Sequence, residues 1–382
     1  MIKRLEVKNY KNLVDFSADF SPVSLLMGSN GTGKSSVFEV LQGIRELVVN
    51  NELCSTAFSF ITFSRYSDDL PYQQSFELTF ACKDSEVVYS LEIEKNLEEE
   101  PTIRREEIRE KSGVLYRFES GKVTLYCDNH ETLSEYTSNA NRSVLSTLIL
   151  KKNQSKLSTI IEFLRNTHII QATNRNRSGL AVGEIPNISR DEQLFLNWYR
   201  YLKKEYPDCP EKINNDLREV IPNFDYFDIL ESNHIAITKR VVCNFTRSNK
   251  SSSIGPSSDL DNSFFITFSQ LSDGQRSLIM FYSLLHYMIK RPAIVCIDEP
   301  ENFLALEEVQ PLIHRFMDAV EDNPGSQLIV ASHHPEFFNL LAVNHGIVFR
   351  RGADGGVVAK KFSVPEDILL TVSELVARGE LQ

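Results

Sequence analysis

Surplus positive charge is the first thing this sequence lacks: 41 lysines and arginines stand against 52 aspartates and glutamates, a formal net charge of −11. That balance excludes a protein that coats nucleic acid by bulk cationic charge, and leaves room only for a local basic groove. Long apolar runs are missing as well. No window approaches 18 uninterrupted apolar residues, so no segment is expected to span a membrane. The opening MIKRLEVKNYKN alternates charged with apolar side chains and has no apolar core of a secretory leader. Six cysteines (Cys54, Cys82, Cys127, Cys209, Cys243, Cys296) include no CxxC pair, and several lie within apolar runs. Free buried thiols in a reducing compartment are expected, rather than a zinc site or a disulfide frame. There is no internal repeat, and no heptad run of the length a long coiled coil needs. What remains is a cytoplasmic globular protein with 42% apolar and 24% charged residues. At 382 residues it is expected to form one large or two closely joined lobes.

The pattern along the chain starts with strands, at Leu5 and Val7 and then at Val23–Met27. A glycine-rich turn and a helix follow, the helix carrying Val37, Val40, Leu41, Ile44, Leu47 and Val48 on one face. Two hairpins come next: Phe76, Leu78, Phe80 with Tyr89, Leu91, Ile93, and then Leu115–Tyr116 with Val123–Tyr126. The charged segment Glu94–Lys111, interrupted by Pro101, reads as a solvated connection. The middle is more helical, at 144–150, 156–165, 191–205 and 211–220. Arg247–Ser263, rich in Ser with two Asn, a Gly and a Pro, reads as a loop. Strands at 264–268, 293–297 and 328–331 then alternate with helices at 277–289 and 309–320, the pattern of a parallel sheet covered on its faces.

Three motifs carry chemistry. Gly28-Ser29-Asn30-Gly31-Thr32-Gly33-Lys34-Ser35 is a G-x-x-x-x-G-K-S loop between strand and helix. About one or two chains in a hundred of this length would match its fixed positions by chance, before the strand–turn–helix context is counted. Its glycines let backbone N–H groups face phosphate oxygens, and the helix starting near Lys34 adds its positive end. Lys34 is suited to the β- and γ-phosphates and the Ser35 hydroxyl to Mg²⁺. The run Ile294-Val295-Cys296-Ile297-Asp298-Glu299-Pro300 ends an apolar strand in two carboxylates, at the edge where α/β folds bind ligands. Asp298 is placed to hold the metal shell and Glu299 to polarise an attacking water. Leu271-Ser272-Asp273-Gly274-Gln275, directly before a helix, offers a second anion-binding corner. One chain has little use for two phosphate cradles, so this corner is expected to close over the nucleotide held by a second copy.

LSDGQ resembles the ABC signature LSGGQ, with Asp273 at a glycine position. Together with GSNGTGKS, IVCIDEPEN, the opening Leu5-Glu6-Val7-Lys8-Asn9-Tyr10-Lys11-Asn12 and Ala331-Ser332-His333-His334-Pro335-Glu336-Phe337, the sequence resembles the RecF/SMC/OLD branch of ABC ATPases over about residues 1–50 and 265–345. The resemblance implies a P-loop NTPase: an ABC-ATPase head with a RecA-like parallel sheet, an antiparallel β subdomain and an inserted helical lobe. The expected segments are an N-terminal ATPase part at 1–128, a helical lobe at 129–263 and a C-terminal ATPase part at 264–382. It further implies ATP and Mg²⁺ as ligands, held by 28–36 including Ser36 and, from a second copy, by Ser272, Gly274 and Gln275. His333 resembles the histidine that contacts the γ-phosphate, with His334 second to it. Gln171 resembles the glutamine that senses Mg²⁺ and the attacking water, with Gln73 and Gln74 as alternatives. The basic stretches Asn174–Ser178 and around Lys239, Arg240, Arg247 and Lys250 read either as solvated loops or as contacts to nucleic acid or a partner.

The implied activity is ATP hydrolysis in a homodimer that clamps on ATP and serves a DNA-related process. Antiphage defence with a separately encoded nuclease or toxin effector is the first expectation. DNA repair by a RecF-like clamp is the alternative, and a transporter subunit a more distant one. Fewer than 50 residues follow the His333 segment, too few for a fused nuclease domain.

Overall fold

A computed structural model describes residues 1–66, 72–82, 85–95, 100–171, 180–181, 184–186, 195–231, 239–246, 263–302, 304–352, 355–363 and 372–377. The chain divides into two compact units: 1–167 with 293–298 and 327–382, and 168–292 with 299–326.

In the first unit, β1 (Ile2–Tyr10) turns back into β2 (Leu13–Asp19), and β3 (Val23–Met27) leads through the glycine-rich loop into α1 (Lys34–Asn50). The short α2 (Cys54–Ala57) precedes a run of strands: β4 (Gln73–Ala81), β5 (Glu86–Glu94), β6 (Thr102–Glu110), β7 (Gly113–Glu119), β8 (Lys122–Tyr126) and β9 (Thr132–Thr137). The antiparallel sheet runs β2-β1-β4-β5-β6-β7-β8-β9. Strict alternation makes β4 and β5 a half-buried pair, with Phe76, Leu78, Phe80, Tyr89, Leu91 and Ile93 all inward. α3 (Ser155–Arg165) packs on α1, and β10 (Thr167–Gln171) carries the chain into the second unit.

The segment read as a solvated connection contains the strand β6, which is a correction. Its inward positions include carboxylates instead of apolar groups, so TIRREEIRE hides its period. Glu106 is fully buried and accepts from Tyr89 Oη (2.8 Å), Tyr116 Oη (2.9 Å) and Ser143 Oγ (2.8 Å). Burial outweighs those three donors and raises its pKa above the ordinary glutamate value. The helix expected at 144–150 is a single 3₁₀ turn, Val144–Thr147, capped by Ser143.

The second sheet of this unit is built by β3 with three strands from the far end of the chain: β15 (Ile294–Asp298), β16 (Gln327–Ser332) and β17 (Gly346–Arg351). They lie parallel in the order β15-β16-β3-β17, and β18 (Val357–Lys361) closes the edge antiparallel to β17. β3, β15 and β16 are buried along their whole length, as strands covered on both faces must be. At the opposite end from the glycine-rich loop, the buried Gln327 amide accepts from Ile2 N (2.9 Å) and donates to the carbonyls of Ile2 (2.7 Å) and Ser21 (3.0 Å). α8 (Pro335–His345) and α9 (Val372–Ala377) pack together.

The second unit holds α4 (Phe195–Glu205), α5 (Cys209–Val220), α6 (Asp273–Lys290) and α7 (Leu306–Asp322). It also holds a small sheet of β11 (Leu180–Ala181), β13 (Lys239–Thr246), β12 (Phe224–Glu231) and β14 (Ser263–Thr267). Its core is aromatic, with Trp198 and Tyr199 of α4 meeting Tyr287 and Phe227. Asp216 of α5 accepts from His286 Nε2 of α6 and from Arg315 Nη2 of α7, both at 2.7 Å.

These units divide the chain differently from the three segments expected. Residues 129–167 belong with the first unit, because β9 extends its sheet and α3 packs on α1, while 264–292 and 299–326 belong with the second. The stretches 247–262 and 174–178 lie outside the described residues, as do the side chains of Gln171, Lys239 and Arg240. Cys54, Cys82, Cys127, Cys209 and Cys296 are free thiols, and burial pushes Cys54 up to about 12. Among the described residues, no helix is long and apolar enough to cross a membrane.

Candidate functional site

The glycine-rich loop 28–33 joins β3 to α1. A Cβ on Gly28 would stand 2.6 Å from the Phe349 carbonyl oxygen and 2.8 Å from Thr32 Oγ1, so only glycine lets the loop leave the sheet beside β17. Gly33 caps α1 in the left-handed region, at φ 91° and ψ 5°. Thr32 Oγ1 donates to the Ser29 carbonyl at 2.7 Å, fixing the turn from within. Lys34 is buried, and its Nζ donates to the carbonyls of Gly28 (2.7 Å) and Ser29 (3.1 Å). Ser35 and Ser36 are half-buried in the first turn of α1, which itself holds no acidic residue to offset the positive end of the helix.

A residue outside the motif braces this loop. Asn12, in the turn between β1 and β2, donates from Nδ2 to the Gly31 carbonyl (3.0 Å) and accepts from Ser36 Oγ at Oδ1 (3.3 Å). Asn12 stands within the opening stretch of the sequence that resembles the family, but nothing in its spacing reveals what it touches.

Strand register brings the motifs together. Asp298 pairs with Ala331, Ala331 with Leu26, and Ser332 with Met27, so the buried carboxyl of Asp298, the start of the His333 segment and the glycine-rich loop share one edge of the sheet. His333 is exposed and lines an open cleft of about 680 Å³ together with Gly28–Thr32, Arg350 and Arg351. His334 is differently engaged: it is the N-cap of α8, its Nδ1 accepting from Glu336 N at 3.3 Å. The two neighbouring histidines are thereby separated into one that faces the cleft and one that caps a helix.

Glu299 opens the second unit with φ 52°, a left-handed backbone uncommon outside glycine, and its Oε2 accepts from Asn302 Nδ2 at 2.9 Å. In the same unit, Ser272 is the N-cap of α6. Ser272 Oγ accepts from Gln275 N (3.2 Å), and Gln275 Oε1 accepts from Ser272 N (3.1 Å). This is a capping box, legible in the S-x-x-Q spacing, so these two side chains start the helix whatever else they do. Because Ser272 Oγ accepts the backbone proton, its own hydroxyl proton points elsewhere and is available to an anion. Asp273, in the first turn, is ion-paired to the buried Arg276.

A loop with glycines at positive φ before a helix, an exposed histidine after the neighbouring strand β16 and a buried aspartate ending β15 beyond it are the features of a P-loop nucleotide-binding fold. The α/β fold is that of an ABC-ATPase head, with a RecA-like parallel sheet beside an antiparallel β subdomain. The family model described as AAA ATPase domain matches residues 1–338, and the chain belongs to that family. No curated protein matches it. Among solved structures, it is similar to an SMC head bound to the C-terminal winged-helix domain of ScpA, at 12% identity and a TM-score of 0.56, over 96% of this chain and 99% of that one. An SMC head domain from Thermotoga maritima is 15% identical, with a TM-score of 0.46 over 95% and 99% of the two chains.

Proposed function

We propose that this ATPase-family chain binds and hydrolyses Mg²⁺-ATP in the cleft above β3, and that two copies share the site head to tail. The observation that carries this reading is the strand register that sets the glycine-rich loop, Asp298 and the His333 segment on one sheet edge. The residues fit the ligand: a Cβ-free approach at Gly28, a buried lysine and a helix N-terminus with no acidic residue in its first turn suit phosphate. Lys34 would exchange the Gly28 and Ser29 carbonyls for β- and γ-phosphate oxygens. Ser35 and Asp298 would hold Mg²⁺, which supplies neutralisation of the phosphate charge when bound. Glu299 would orient and deprotonate the attacking water, and His333 would donate to the γ-phosphate. Gln171 keeps its proposed place near metal and water. Ser272, Gly274 and Gln275 would meet the nucleotide of the second copy, so that ATP clamps the dimer and hydrolysis releases it.

The process served is DNA-related, in antiphage defence, and the effector is a separate polypeptide such as a nuclease or toxin. The likeness to an SMC head that binds a winged-helix domain supports a protein partner docked on this chain. Mutant mixing tests the shared site. Lys34→Ala should lose nucleotide binding, Glu299→Gln should bind and turn over slowly, and Ser272→Arg should bind as a monomer without dimerising. A mixture of the Lys34 and Ser272 variants should recover one working site per mixed dimer. Mixed dimers that form yet show no recovery would refute sharing between copies.

A further inference from the structure

Two arginines in the cleft have no role in the reading above. Arg350 and Arg351 end β17, the strand hydrogen-bonded to β3, and the Phe349 carbonyl just before them lies against Gly28. Both are exposed, and both line the same cleft as Gly28–Thr32 and His333, in which no carboxylate lines the wall among the described residues. Elsewhere in this acidic protein Arg4, Arg105, Arg109, Arg117, Arg276 and Arg315 each meet an aspartate or glutamate, whereas Arg350 and Arg351 make no ion pair among the described residues. Arg351 is nonetheless held in place. Its guanidinium stands 6.0 Å from the centre of the Tyr66 ring, and that ring lies so close to Gly355 that a Cβ there would come within 2.7 Å of it.

We propose that Arg350 and Arg351 are a second cationic edge of the cleft, which contacts the terminal phosphate of the bound nucleotide and makes the site discriminate nucleoside triphosphate from diphosphate. This rests on the assignment of the cleft as the nucleotide site. Lys34 supplies one positive charge from beneath the loop, and a triphosphate with its metal still carries net negative charge on the outer oxygens. A guanidinium reaching in from β17 meets that charge with paired N–H donors. Tyr66 pre-orients Arg351, so less side-chain freedom is lost when the phosphate arrives.

Calorimetric titration with a non-hydrolysable ATP analogue and, separately, with ADP tests the proposal. Arg350→Ala/Arg351→Ala should weaken the triphosphate analogue by about tenfold, as expected for lost hydrogen bonds to a charged group, and leave ADP affinity within about twofold. Arg351→Lys should retain part of the preference, and Tyr66→Leu should lose part of it with both arginines intact. Equal weakening of both ligands, or no change in either, would overturn the proposal. Failure of the cleft assignment looks different: the unaltered protein would then bind neither ligand, or Lys34→Ala would bind both as well as the unaltered protein.

Discussion

Adjacent histidines with different surroundings give a sharp test of the site, because replacing each should move a different quantity. His334 accepts the Glu336 amide proton at 3.3 Å, the long end of the hydrogen-bond range, so its cap falls in the lower part of the range for such residues, about 0.5–1 kcal/mol. For a unit of this size each kcal/mol moves the melting temperature by about 2–4 °C, so His334→Ala should melt about 1–4 °C lower. Its ATP turnover should stay within about twofold, and His334→Asn, a good N-cap, should restore the melting temperature. His333 reaches into the cleft. His333→Ala should leave the melting temperature unchanged and lower turnover by about 10²-fold, the loss typical of a donor aimed at developing charge. Thermal unfolding and a phosphate-release assay on the same preparations separate the two. If His334→Ala slowed turnover as much as His333→Ala while remaining folded, the assignment of the cleft-facing histidine would be wrong.

Other perturbations follow from packing and charge. Gly43 lies inside α1, where helix propensity alone would make Ala better by about 1 kcal/mol. A Cβ there would stand 2.7 Å from Cζ of the buried Phe58, whose ring lies 4.7 Å from that of Phe76, and overpacking costs about 1–3 kcal/mol. Gly43→Ala should therefore melt lower, and a rise in melting temperature would show that the ring yields freely. Glu106 has a folded pKa raised by burial above the unfolded value of 4.5, so the folded state holds more protons just above that pH and stability falls as pH rises through the window. Glu106→Gln removes this penalty, and its melting temperature should gain on the unaltered protein as pH goes from about 4.5 to 8; a gap that stays constant or narrows would refute the buried-charge account. The purified protein alone should release phosphate from ATP without cutting DNA or RNA, and metal-dependent cleavage lost on mutating a carboxylate other than Asp298 and Glu299 would contradict that division of labour.

The motifs of the candidate site were more legible in the sequence than several of the strands around them. Glycine spacing, a strand ending in carboxylates and a helix start are local features, and backbone geometry forces local chemistry to be written locally. β6 shows where that breaks down. Its alternation is carried by Glu106 and Glu110, whose partners Tyr89, Tyr116, Ser143 and Lys156 come from β5, β7, the 3₁₀ turn cap and α3. Only the assembled sheet satisfies those carboxylates, so hydropathy reads them as solvated. The patterning described above likewise does not mark β2, β9, β12 or β13 as strands. Asn12 and the cleft arginines act through tertiary contact alone, which no spacing encodes.

β3 has an order-of-synthesis consequence. Its two hydrogen-bonded neighbours are β16 and β17, strands whose residues are made only after some 300 others, and the Gln327 amide that ties β16 to Ile2 spans 325 positions. While the chain is being made, the glycine-rich loop exists early, but the strand that positions it has open edges on both sides and five apolar or small residues with nowhere to be buried. Pairings of such sequence separation form slowly, because loop closure must precede the contacts that reward it. The nucleotide cradle is thus among the last parts of the first unit to be finished, and a nascent or prematurely ended chain carries the loop's sequence without its grip on phosphate.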